Sequence, residues 1–297
     1  MAIGEAAVIS PQTTPAHHIY VAGLGGSGIG ADFVASFIRE SADIPYLVGK
    51  GYDVPAYVGP NSIGIASSYS GNTEETLRCY KQMKDAGASI IVVSSGGKLI
   101  EMAKEDGYDY VKVPNNWPSP RACLGYSVIA QMHIMHKLGY VAKDQLNEVL
   151  KAATLLRKDS DEIKNKAEKI AHFMHGKLPI IYATDRMTPV AVRFRQQLNE
   201  NAKMLCWHHV VPEMNHNELV GWRDKNNDLA VIYFRSKDDF SRNQMRIDIN
   251  KEIISNYTDT IIEVFAKGDS LVEQSFYLVH LGDWISWYMS QLRGMDA

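Results

Sequence analysis

Strand-length apolar runs alternate with helix-patterned segments along nearly the whole chain, and few folds accommodate such an alternation. Residues 18–24, 44–49, 62–67, 89–93 and 108–113 read as strands rich in Val, Ile and Tyr, and segments 29–40, 74–86, 98–105 and 121–138 read as the helices among them. Strands that are apolar at almost every position must be buried on both faces. That implies a parallel sheet with helices above and below it. Residues 143–175 are charged and helical without a strand, which places a domain boundary near Lys151. The alternation then resumes, with strands at 178–183, 204–211, 229–235 and 260–266 and helices at 189–203, 217–221, 239–255 and 271–292. A chain of 297 residues suits two domains of about 150 residues each. The expectation is an α/β protein with domains at 1–150 and 151–297, each a parallel sheet flanked by helices on both faces.

Composition removes several function classes. Net charge is −3 and no block of Lys or Arg occurs, so nothing announces the phosphate-neutralising surface that nucleic acid requires. Cys79, Cys123 and Cys206 are odd in number and far apart, which fits neither a disulfide framework nor a zinc site, and no other cluster has metal-ligand spacing. No metal and no cofactor are expected. Residues 1–15 lack a basic segment followed by an apolar one, and no apolar run reaches the roughly 18 residues of a membrane span. No membrane partner is expected, and a cytoplasmic location is.

Two loops stand where a strand hands over to a helix. The first is Gly23-Leu24-Gly25-Gly26-Ser27-Gly28. Glycines let the backbone approach an anion, and the next helix aims free N–H groups and the positive end of its dipole at it. The spacing also matches the dinucleotide fingerprint, but that reading wants an acid at the end of the second strand. This strand runs into Gly49-Lys50-Gly51, with Asp53 late. The second loop is Ser67-Ser68-Tyr69-Ser70-Gly71-Asn72-Thr73-Glu74-Glu75-Thr76. Three hydroxyls, on Ser68, Ser70 and Thr73, crowd a glycine turn at a helix start and can surround a phosphate dianion without Lys or Arg. Against this stands a simpler reading, in which Thr73 only caps the helix.

The two loops together resemble the SIS (sugar isomerase) domain. Further segments narrow the likeness: Pro120-Arg121 opening a helix, Gln197-Leu198-Asn199-Glu200-Asn201, and Pro212-Glu213-Met214-Asn215-His216-Asn217-Glu218. These are similar to the bifunctional phosphoglucose/phosphomannose isomerases, and the likeness runs from Ile19 to Asp296. The resemblance implies two SIS domains and a homodimer with active sites at the subunit interface. It also implies a sugar 6-phosphate substrate held by Gly25, Gly26, Ser27, Ser68, Ser70 and Thr73.

Aldose–ketose isomerisation needs a base to move a proton between C1 and C2, help in opening the ring, and positive charge near the enediolate. Glu200 lies near the end of a helix opened by Thr188-Pro189, read as cap and first-turn proline, where the helix dipole and burial would favour its neutral form. His216 precedes a short helix whose positive end would help keep the imidazole neutral. Arg121 could set a guanidinium against the enediolate. Taken singly, an exposed glutamate, a packing histidine and a solvated arginine are the plain alternatives. The resemblance assigns Glu200 as base, His216 of the partner subunit to ring opening, and Arg121 to charge stabilisation. One departure stands out: the family carries a lysine beyond the segment matching Arg293-Gly294-Met295-Asp296, and no lysine follows Lys267 here. A non-catalytic sugar-phosphate binder is the alternative function, and a dinucleotide oxidoreductase a more distant one.

Overall fold

The computed structural model describes residues 16–297; the segment 1–15, expected above to carry no leader, lies outside the described residues. The chain divides into two compact units, one ending at Asn147 and one beginning at Glu148. In unit 1, β1 (His18–Ala22), β2 (Tyr46–Gly49), β3 (Ser62–Ser67), β4 (Ser89–Ser94) and β5 (Asp109–Lys112) form one sheet in the order β2-β1-β3-β4-β5. Every neighbouring pair is parallel; Ile19, for instance, stands opposite both Tyr46 and Ile63. The connecting helices are α1 (Gly25–Ile38), α2 (Glu74–Asp85), α3 (Gly97–Asp106) and α4 (Leu124–Lys137).

Side chains alternate across a strand, so each strand feeds two cores. On one face Tyr20, Ala66 and Val92 meet Tyr80 and Met83 of α2 and Leu99 and Ala103 of α3. The intervening Ile19, Val21, Ile63, Ile65 and Val93 are equally buried and serve the opposite face, where α1 and α4 pack together. The connection from β1 runs to β2 on one side of the sheet, and that from β3 runs to β4 on the other. The carboxyl ends of β1 and β3 therefore form the switch point where parallel sheets place ligands.

The division between units falls within α5 (Lys143–Lys158), which is followed by α6 (Ser160–Met174). Unit 2 then runs β6 (Leu178–Thr184), α7 (Thr188–Glu200), β7 (Trp207–Val211), β8 (Leu229–Arg235), α8 (Ser241–Ile254), β9 (Ile261–Phe265) and α9 (Leu271–Leu292). Its parallel sheet has the order β7-β6-β8-β9, the same permutation as the first four strands of unit 1. Tyr182 and Tyr233, with ring centroids 5.2 Å apart, share one core with Ile247 and Ile254 of α8. On the other face Phe194 of α7 packs edge-on against Phe234 at 5.3 Å. A Cβ at Gly282 of α9 would lie 2.9 Å from the Phe194 ring, so α7 and α9 need a glycine there.

Three local expectations are corrected. Helix α1 starts at Gly25 rather than residue 29, because Ser27 and Gly28 N–H groups already bond to the Leu24 carbonyl at 3.1 Å. Strand β7 starts at Trp207 rather than 204, since the chain first turns at Lys203 with φ +53°. Thr188 is the first residue of α7 and not its cap; its hydroxyl donates to the Asp185 carbonyl at 2.7 Å, and the cap position belongs to Met187. Among the described residues no helix is long and apolar enough to cross a membrane.

Candidate active site

At the switch point of unit 1 a cavity of about 270 Å³ is lined by Gly25, Gly26 and Ser27 from the start of α1, by Ser67, Ser70 and Thr73, and by Pro120, Cys123 and Ser127. The hydroxyl loop is held by its own hydrogen bonds. Ser68 Oγ lies 2.8 Å from Thr73 Oγ1 and accepts the Gly71 N–H at 3.2 Å, while Ser70 Oγ accepts the Asn72 N–H at 3.2 Å. Gly71 has φ +70°, and an added Cβ would run into the Gly96 carbonyl, so the turn admits only glycine. Thr73 occupies the cap position of α2, yet its side chain makes no capping bond because the hydroxyl is turned to Ser68. The simpler reading of Thr73 as a cap is thereby corrected. The earliest N–H groups of a helix have no intrahelical acceptor, although that of Ser27 already bonds to the Leu24 carbonyl, and both α1 and α2 offer positive dipole ends here. An oxyanion fits such a site.

Arg121 reaches the same place through the fold. It lies in a 3-10 turn, Pro120–Cys123, ahead of α4. A Cβ on Gly26 would stand 3.1 Å from the Pro120 carbonyl and 4.0 Å from the Arg121 Cα, so the bare Gly26 backbone lets this turn rest on the α1 start. The first domain's six expected binding residues and Arg121 thus lie in one neighbourhood: Gly25, Gly26, Ser27, Ser70 and Thr73 line the cavity, and Ser68 stands behind Thr73.

Glu200 and His216 lie in unit 2. Glu200 ends α7 and is exposed. The reason is that the buried stripe of α7 closes with Gln197 and Leu198, leaving residue 200 on the outer side of the last turn. His216 closes a 3-10 turn, Glu213–His216, and is exposed; the expected helix after it is a second four-residue 3-10 turn, Glu218–Gly221. That segment is anchored beneath. The buried Tyr182 phenol donates to the Glu218 carboxylate, which also accepts Trp207 Nε1 at 3.3 Å, and Trp222 Nε1 donates to the Tyr182 oxygen at 3.2 Å. Burial, then Glu218, holds the Tyr182 phenol far above its ordinary pKa, so it remains a donor. Tyr182→Phe should cost about 1.5–3 kcal/mol in denaturant unfolding, because it removes a charge-assisted bond and leaves Trp222 unmatched. His208, inside β7, is held below its ordinary value by burial, with Arg195 and His209 adding to it. It reads as a packed strand histidine.

The family models give matching descriptions: bacterial phospho-glucose isomerase C-terminal SIS domain over residues 163–297, and SIS domain over residues 13–106. A bifunctional phosphoglucose/phosphomannose isomerase of Caldicellulosiruptor bescii is 36% identical over 304 residues, covering 99% of this chain and 89% of its own. That of Aquifex aeolicus is 34% identical, covering 97% and 88%. The chain belongs to the bifunctional phosphoglucose/phosphomannose isomerase family. Among solved structures, the C-terminal domain of a glucosamine-fructose-6-phosphate aminotransferase from Francisella tularensis superposes with a TM-score of 0.75. It does so over 95% of this chain and 85% of that one, at 14% identity, which shows a shared fold.

In this phosphoglucose/phosphomannose isomerase relative the dinucleotide alternative loses its footing. The residue after β2 is Lys50, paired with Asp32 of α1, and Asp53 pairs instead with Arg78 at 3.1 Å. Neither acid is set to receive a ribose. The sequence reading missed Ser67, Cys123, Tyr126 and Ser127 as cavity residues. Ser67 was legible as the serine next to Ser68; the others reach the cavity only through packing of α4. Unit 2 has a smaller counterpart crevice of about 190 Å³ beyond β6 and β8, lined by Arg186, Ser236, Asp238, Asp239, Asp269 and Gln274 among others. There Asp239 accepts from Thr184 Oγ1 at 2.6 Å and from the Ser236 N–H at 2.7 Å, and Ser236 Oγ donates to Gln274 at 2.6 Å.

Proposed function

We propose that the chain interconverts glucose 6-phosphate and mannose 6-phosphate with fructose 6-phosphate by proton transfer through a cis-enediol. The observation that carries this reading is the convergence of hydroxyls, two helix starts and the Arg121 turn on one cavity in unit 1. The phosphate is seated against Ser68, Ser70, Thr73 and the backbone of Gly25, Gly26 and Ser27. Glu200 takes the C2 proton of the aldose and returns it to C1, and Arg121 balances the charge that develops on the enediolate. His216 of the partner subunit handles the ring oxygen during opening. A planar enediol has no C2 configuration, so one base serves both epimers. The working form in this reading is a homodimer, in which a second chain would shield Glu200 and His216 from water.

A coupled assay with each aldose 6-phosphate tests the proposal directly. Turnover of both substrates is the expected result. Tight fructose 6-phosphate binding without turnover would favour the non-catalytic binder instead. Activity should also survive EDTA undiminished, because side chains alone carry the proton transfers and, among the described residues, no group of three or more potential metal ligands converges. Full loss in EDTA, restored by zinc, would sink that part of the mechanism.

A further inference from the structure

The cavity in unit 1 borders one polar group that the folded chain does not satisfy. Ser67, the last residue of β3, is 1% exposed, and its Oγ has no hydrogen-bond partner. The hydroxyls around it are all engaged. Ser68 meets Thr73 at 2.8 Å, Ser94 donates to the Gly96 carbonyl at 2.8 Å, and Ser127 accepts from Gln131 at 2.8 Å. Buried hydroxyls are rarely left unmatched, because each has given up its water without replacement. Packing does not call for serine here either. The residues of β3 that share its face, Ile63 and Ile65, are aliphatic and fully buried, as is Val93 beside it in the sheet. Several other buried hydroxyls lack a partner, on Thr76, Ser119, Tyr233 and Tyr277, but Ser67 alone among them borders this cavity.

We propose that Ser67 is a substrate-binding residue whose hydroxyl turns onto an oxygen of the bound sugar phosphate. The inference rests on the isomerase reading of the cavity and adds to it a contact from the end of β3, beyond the hydroxyls of Ser68, Ser70 and Thr73. Strand alternation sends the Ser67 side chain to the α1–α4 face, away from the face of Ala66 that packs on α2. It therefore approaches the ligand from the side of Cys123 and Ser127. One rotation about χ1 aims the hydroxyl at the cavity, and the bond formed there replaces the one the folded chain lacks.

Titration calorimetry of Ser67→Ala with fructose 6-phosphate and with inorganic phosphate, beside ligand-free thermal unfolding, tests the idea. Fructose 6-phosphate should bind about tenfold more weakly, while the ligand-free Tm stays level or rises, since alanine leaves no unmatched hydroxyl. A parallel loss with inorganic phosphate identifies the contact as a phosphate oxygen; intact phosphate binding identifies a sugar hydroxyl. Either result supports the proposal. Unchanged fructose 6-phosphate affinity, or a clear fall in ligand-free Tm, overturns it, the latter because the hydroxyl would then have a partner within the protein. Loss of binding in Ser70→Ala but not in Ser67→Ala removes Ser67 alone. A wild-type chain that binds no fructose 6-phosphate brings down the isomerase reading as well.

Discussion

Glu200→Gln should lower kcat by about 10²–10⁴-fold on both aldose substrates while leaving substrate binding nearly unchanged. The substitution keeps shape and polarity and removes only the proton acceptor. It should not disturb the fold, because the backbone on either side is pinned by other groups. Asn199 Nδ2 donates to the Met204 carbonyl at 2.8 Å, and Asn201 Nδ2 donates to Ser286 Oγ at 2.9 Å. Residue 200 itself is exposed at the helix end. The unfolding midpoint is thus a built-in control. Exchange of the C2 proton with solvent deuterium should stop in the same variant. Near wild-type turnover on either epimer would return Glu200 to the ordinary helical glutamates. Proportional loss of binding and turnover would instead make it a residue that positions the sugar.

The double variant Ser70→Ala, Thr73→Ala should weaken fructose 6-phosphate binding by about 100-fold or more, with a much smaller change in kcat. A hydrogen bond to a charged phosphate is worth about 1.5–3 kcal/mol, so each loss alone accounts for about tenfold or more. Thr73 has a second effect. Its hydroxyl is the partner of Ser68 Oγ, so removing it frees a third hydroxyl from its set orientation. Contacts made equally to substrate and transition state change affinity more than turnover. Calorimetry and steady-state kinetics on the same preparations separate the two quantities. Unchanged affinity would move the phosphate out of this cavity.

How much of this was legible in sequence depended on whether the cause was local. Strands β3 and β8 and helix α9 have the bounds their residue patterns predict, because an apolar run is read within a single segment. The start of α1 was misplaced because glycines are poor helix formers, and here the fold, not propensity, recruits them into the first turn. The hydroxyl loop was legible because its groups are neighbours in the chain. The rest depends on contacts between distant residues. Nothing in the order of residues sets Pro120 against Gly26, seats Ser127 beside Ser27, or places Tyr182 under Glu218.

The repeated strand order gives the two units a crevice at the same topological position, but their polar groups face different things. In unit 1 they face a cavity, and in unit 2 Thr184, Ser236, Asp239 and Gln274 bond to one another. If the first crevice holds the sugar phosphate as proposed, changes at equivalent positions should register in different quantities, ligand affinity in one half and folding free energy in the other.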